Sequence, residues 1–267
     1  MAAETFGLLE IGTAKRLILR ILEAGTVSFS GHALAEMRKD KLSTVDCTSV
    51  LRGGVVEPGE LERGSWRYPD EDEHHLRGDG VQIGNGVGGG DRMEDWTVMA
   101  CTVCGERMKA RRENWRYEAS GLPYVTLTSV EVRRCQKCGE TEVAIPAIEE
   151  LHRTIAGALI RKRARLAPAE IKYLRKYLGW AGTDFARRIG STAETVSRWE
   201  HGKMPMGLAA ERLLRLMVAK EAPVSDYTVD VLAQVAADDR DPRPVHLGLS
   251  RERKGWRYRP DAALVTA

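Results

Sequence analysis

The chain has 267 residues, 43% of them hydrophobic and 30% charged, with a formal net charge of +3. That is the composition of a globular protein with a buried core and room for two or three small domains. No stretch approaches the roughly 18 apolar residues of a membrane span, and the N-terminal run LILRIL is short, charged and lacks a cleavage site, so a cytoplasmic protein without a membrane partner is expected.

In chain order, residues 12–24 place apolar side chains at helical spacing and Gly25 lets the chain leave the helix. TVSFS then reads as a short strand and HALAEMRKDK as a helix, and Ser43 with Asp46 forms a capping box opening a further helix through Leu51. VVEPGELERGSWRYP reads as strand, turn and strand, after which apolar content collapses from Asp70 to about Trp96. Polar and apolar residues alternate around YVTLTSVEVRRC, predicting a small sheet over 105–134. IPAIEELHRTIAGALIRKRARL is a helix pattern ending in a basic cluster, and four short helices follow at 168–178, 182–189, 192–201 and 207–219. The proline-broken tail from 223 is expected to be partly disordered.

Four of the five cysteines form two Cys-x-x-Cys pairs, Cys101/Cys104 and Cys135/Cys138, with 30 residues between them. Two residues between thiolates let one tight turn aim both sulfurs at one ion, and the glycine after each second cysteine relieves the strain of that turn. Two such turns complete a tetrahedron, which predicts a closed, structural Zn2+ site; unrelated buried or redox-active cysteines are the alternative. Cys47 stands alone and reads as a core residue.

Residues 151–220 carry 15 Lys/Arg against 5 Asp/Glu, a surplus of 10, while the remainder of the chain sums to −7. A basic segment beside an acidic remainder suggests a polyanion partner. Within it, GTDFARRIGSTAETVSRWEHGKMP has the pattern of a helix-turn-helix: Ala186 and Ile189 inward from one helix, Gly190 at the turn, Val196 and Trp199 facing back from the next. A helical bundle of the same spacing is the plain alternative. The candidate DNA-binding residues are Ser191, Thr192, Glu194, Thr195, Ser197, Arg198 and Lys203. Arg198 is the base reader, since a guanidinium grips guanine O6 and N7 with two hydrogen bonds. Thr195 and Ser197 suit bases or phosphates. Arg161, Lys162, Arg163, Arg165, Lys172, Lys176 and Lys203 suit phosphates, or are solvated charge.

CTVCG, CQKCG and VSRWEHGK, in that order and separation, resemble the MqsA (YgiT-type) zinc-finger antitoxin family over about Met99 to Ala222. The resemblance implies a zinc domain that binds a toxin, and a helical domain that dimerises and represses its own operon at a palindromic operator. It gives Arg198 the family's base-contacting role, and puts Glu194 where the best-known pattern has asparagine. Residues 27–68 are similar to RelE-like toxin domains, in which helices precede an antiparallel sheet. The fourth helix, around Leu213, Leu214 and Leu216, is a candidate homodimer interface, or core.

IGNGVGGG at 83–90 includes Gly84, Gly86 and Gly89 in G-x-G-x-x-G spacing, but no convincing helix follows for a phosphate site. A flexible linker is one reading. The other is a frameshift: codons for this stretch, read one nucleotide forward, permit valine-rich strands, so residues from roughly Pro69 to Trp96 would be an out-of-frame copy of a toxin's last strands.

The expected architecture is therefore multidomain and mainly α with small β parts: an N-terminal α+β toxin-like fragment (1–68), a glycine-rich or frameshifted linker (69–98), a small four-cysteine zinc β domain (99–148), a helix-turn-helix bundle (149–222) and the tail (223–267). The expected function is a type II antitoxin and autorepressor, not an enzyme, with operator DNA and a RelE-like toxin as partners. The alternative is a fused, active ribonuclease in the N-terminal half, for which His32, Arg38, Arg67 and Tyr68 are the available acid, base and phosphate-binding groups.

Overall fold

The computed structural model describes residues 10–56, 60–62, 65–67, 81–84, 100–221 and 246–260. The N-terminal elements are α1 (Ile11–Ala24), β1 (Thr26–Ser30), α2 (Gly31–Lys39) and α3 (Thr44–Gly53), followed by β2 (Glu60–Glu62), β3 (Ser65–Arg67) and β4 (Val81–Gly84). Then come β5 (Met108–Arg116), β6 (Val125–Cys135), β7 (Thr141–Pro146) and α4 (Ile148–Ile160). Helices α5 (Pro168–Tyr177), α6 (Gly182–Ile189), α7 (Ala193–Glu200) and α8 (Leu208–Glu221) precede a closing pair, β8 (Leu247–Glu252) and β9 (Gly255–Pro260). The capping box is in place at α3, where Asp46 Oδ2 accepts from both the backbone N and Oγ of Ser43 at 2.7 Å.

These elements build one mixed seven-stranded sheet in the order β4-β1-β7-β6-β8-β9, with β5 on the other side of β6. This corrects the expectation of a multidomain, mainly α chain. β1 pairs antiparallel with β7, Thr26 opposite Pro146 through Ser30 opposite Glu142. β8, from the tail, pairs parallel with the first half of β6, Val125 opposite Leu247. Four regions read as separate units thus contribute strands to a single sheet, giving an α/β fold, and the cysteines lie at its strand ends rather than in a small zinc domain of their own. Among the strands of the described residues, only β2 and β3 stand outside it, as a two-stranded hairpin. Register across more than a hundred residues depends on which faces are buried together, which local periodicity does not encode.

The long strand β6 shows how the sheet accommodates both neighbours. Its buried positions Val125 and Leu127 share one parity, Val130 and Val132 the other. The phase changes at Ser129, whose φ is +54°, opposite a register shift between Glu113 and Trp115 of β5. That is a β-bulge, and it lets both halves of the strand present apolar side chains to the core.

Helix α4 is buried on almost every side, with Ile148, Leu151, Ile155 and Ile160 all 0% exposed. A helix apolar all round belongs in a core, and each such side chain contributes about 1.5–3 kcal/mol. It packs against α1, α5, α8 and β9, and the core is continuous from Ile21 to Trp256. The tail hairpin is anchored through Trp256, whose backbone N donates to Glu150 Oε1 at 3.0 Å and whose Nε1 donates to the Pro146 carbonyl at 2.8 Å.

A polar cluster crosses this core. His152 Nε2 lies 3.0 Å from Tyr117 Oη, its Nδ1 lies 3.2 Å from Thr48 Oγ1, and Thr44 Oγ1 lies 2.6 Å from Tyr117 Oη. Burial pushes His152 down from 6.5 to about 3, so the folded protein holds a neutral ring while the unfolded chain takes up a proton. The contribution is full above pH 6.5 and drains as pH falls toward 3. We expect thermal melts to show a loss of about 2 kcal/mol between pH 7 and pH 5 from this residue alone. His152→Gln, which cannot take up the proton, should flatten that slope.

The segment read as frameshifted, together with the rest of the glycine run, lies outside the described residues except for Val81–Gly84. Those four form β4, antiparallel to β1 with Val27 opposite Ile83.

Candidate metal centre and nucleic-acid interface

The four cysteines come from three places: the turn before β5, the last residue of β6, and the turn between β6 and β7. The two turns are built alike. Cys101 N donates to the Glu106 carbonyl and Gly105 N to the Cys101 carbonyl, both at 2.8 Å; Cys135 N donates to the Glu140 carbonyl at 2.8 Å and Gly139 N to the Cys135 carbonyl at 3.1 Å. Gly105 and Gly139 take left-handed φ of +72° and +79°, which is why glycine closes each turn.

The two turns face each other across the β5–β6 ladder. Cys101 Sγ lies 3.5 Å from Cys138 Sγ, Cys104 Sγ lies 3.4 Å from Cys135 Sγ, and all four sulfurs fall within 4.8 Å of one another. Thiolates around a tetrahedral ion with bonds of about 2.3 Å stand about 3.8 Å apart, so this cluster can hold one metal ion. The backbone N–H groups of Cys138 and then Lys137 draw the Cys135 thiol down to about 7, while burial and the neighbouring thiols, against backbone N–H groups that lower them, push Cys104 up and Cys138 up to about 12. The neighbouring Glu140 reaches into the N-terminal region, accepting from Gly31 N at 2.7 Å at the start of α2. Cys47 is buried beside Met37, and burial raises its thiol to about 12.

The second constellation lies on α6 and α7. Phe185 and Ala186 of α6 pack with Val196 and Trp199 of α7 in the core, while Ile189 is only half-buried. Gly190, at φ +68°, turns the chain, and Ser191 N donates back to the Ala186 carbonyl at 2.8 Å. Thr192 is the N-cap of α7, its Oγ1 accepting from Thr195 N at 3.1 Å and donating to Thr195 Oγ1 at 2.9 Å. These two hydroxyls are therefore engaged within the helix start. Ser191 is half-buried, and Glu194, Ser197, Arg198 and Lys203 are exposed. Those last four, with Met204, line one open concavity.

The basic cluster divides sharply. Lys162 pairs with Glu170 and Arg165 with Glu211, both at 2.7 Å, and Lys176 pairs with Asp46 of α3. Arg161 donates to the Gly157 carbonyl at 3.0 Å. Arg163 and Lys203 remain exposed and Lys172 half-buried. The sequence reading passed over Arg187 and Arg188, exposed at the end of α6; Arg188 lies 4.7 Å above the Trp180 ring. Their signal was the pair of arginines directly before the turn glycine. On α8, Leu214 is core, whereas Leu213 and Leu216 are exposed. Of the groups considered for catalysis, His32 and Arg38 sit exposed on α2, Arg67 lies in β3, and Tyr68 is outside the described residues.

No protein-family model, no curated protein and no solved structure matches the chain. Among the described residues no helix is long and apolar enough to cross a membrane.

Proposed function

We propose that the protein is a zinc-containing antitoxin and transcriptional autorepressor that binds operator DNA through α6 and α7. The observation that carries this reading is the α6–α7 pair: a buried apolar side, a left-handed glycine between the helices, and Glu194, Ser197, Arg198 and Lys203 together on the open side. A second helix displayed this way fits a major groove, with Arg198 on guanine and Arg187, Arg188 and Lys203 near the phosphates.

Zinc is the metal we assign, because four thiolates from two Cys-x-x-Cys turns make a soft, closed set with no open coordination position. Bound there, the ion supplies structure rather than hydrolysis, fastening the ends of β5, β6 and β7. A palindromic operator calls for a homodimer, and the exposed Leu213 and Leu216 of α8 supply apolar surface for one. A RelE-like toxin remains the protein partner in this reading, and the cytoplasm the compartment.

Fluorescence anisotropy of the metal-loaded full chain against DNA from upstream of its own coding sequence tests the proposal. We expect saturable binding that weakens steeply with salt and a loss of about tenfold or more in selectivity for Arg198→Ala. Equal affinity for scrambled DNA would remove the repressor reading.

A further inference from the structure

Glu194 and Arg198 stand one turn apart on the exposed side of α7, and Arg198 Nη2 donates to Glu194 Oε1 at 2.5 Å. Their side chains are 74% and 53% exposed, so the pair is offered to whatever approaches the helix. Glutamate four residues before arginine is the orientation a helix favours. The other residues of the concavity, Ser197, Lys203 and Met204, bring no second carboxylate. The pair therefore acts as one unit with one acceptor and several spare donors.

Its chemistry limits what it can read. A carboxylate set against DNA is repelled by phosphate and needs a donor, and in the major groove the donors are cytosine N4 and adenine N6. Adenine presents its N7 acceptor beside N6, which opposes the carboxylate's second oxygen. Cytosine has no acceptor there. Arg198, with one N–H committed to Glu194, keeps further donors for guanine O6 and N7. Successive bases rise about 3.4 Å, close enough for two side chains one helical turn apart to serve neighbouring base pairs.

We infer that Glu194 is a specificity-determining residue that accepts from the amine of a cytosine next to the guanine held by Arg198. The inference rests on the DNA-binding reading proposed above and deepens it by naming the step that is read. Glu194 also positions the guanidinium before DNA arrives.

The test is selection of binding sites from a random-sequence duplex pool by the metal-loaded full chain, as wild type, Glu194→Ala, Glu194→Gln and Arg198→Ala. Because both side chains are exposed, the melting temperatures of the variants should match the wild type. Wild-type sites should carry guanine with a neighbouring cytosine. Glu194→Ala should keep the guanine and lose about tenfold in preference for the cytosine. Glu194→Gln, whose amide both donates and accepts, should admit other bases at that position, and Arg198→Ala should lose the guanine. Wild type and Glu194→Ala enriching the same site would overturn the role of Glu194 while leaving DNA binding intact. A wild-type pool with no enrichment would overturn both.

Discussion

Replacing Arg215 by methionine is expected to cost about 4 kcal/mol and lower the melting temperature by roughly 10 °C. Arg215 is 0% exposed on α8. Its Nη1 donates to the carbonyls of Leu159, Ile160 and Lys162, and its Nη2 to the Ala164 carbonyl at 3.0 Å and Glu211 Oε1 at 2.7 Å. The first two carbonyls belong to the last turn of α4, where a helix runs out of i+4 donors; the Leu159 carbonyl also accepts from Lys162 N at 3.2 Å. One guanidinium thus caps α4 and fastens the α4–α5 connection to α8. Glu211 completes the arrangement by accepting from Arg165 Nε at 2.7 Å and Leu166 N at 2.9 Å. Methionine fills much of the volume but withdraws every one of these donors, from the α4–α5 connection and from a buried carboxylate at once. A shift of only a degree or two would show that these bonds do not form in solution.

Removal of the proposed zinc is expected to have the second large effect. The full chain should carry one ion, Cys135→Ser should carry none, and either that substitution or a chelator should destabilise the protein by about 3–5 kcal/mol. This is less than an isolated zinc finger loses, because β5, β6 and β7 remain paired and Val130, Val132, Val143 and Ile145 stay buried in the main core. The damage should be directed. As the turn at Cys138 loosens, Glu140 lets go of the α2 N-terminus, so hydrogen exchange should rise at Gly31 as well as at the turns themselves. Metal analysis with thermal melts checks the first part. A chain that carries no metal when expressed in zinc-replete medium, yet melts as Cys135→Ser does, would contradict it.

What the sequence revealed was governed by distance along the chain. Both cysteine turns were legible because all their determinants lie within six residues, and the capping box at Ser43 and Asp46 because it spans three. The four helices from Pro168 to Glu221 followed from apolar spacing and the left-handed glycine at 190. The partners of the strands were not legible. TVSFS is a strand in any reading, but its place beside β7 depends on Val27 and Phe29 meeting a core that includes Val143 and Ile145, over a hundred residues away.

The tail hairpin was hidden for a related reason. LGLSRERKGWRYRP is dense in charge, and its apolar content rests on a few residues, among them Leu247, Leu249 and Trp256, which are buried only because β6 and the start of α4 receive them. Charge was the least legible property of all. Lys162, Arg165 and Lys176 have the same sequence signature as Lys203, yet each is partnered inside the fold by Glu170, Glu211 and Asp46. The surplus of positive charge therefore overstates what is free for a polyanion; at the α6–α7 turn Arg187 is itself paired with Asp184 on the surface and Arg188 lies over Trp180.

The most direct test of the DNA-binding reading is a nuclease footprint of the metal-loaded full chain on the DNA upstream of its coding sequence. A discrete protected window with two related half-sites about one helical turn apart is expected, lost in Arg198→Ala. Uniform protection, or none at concentrations that saturate the metal site, would contradict it.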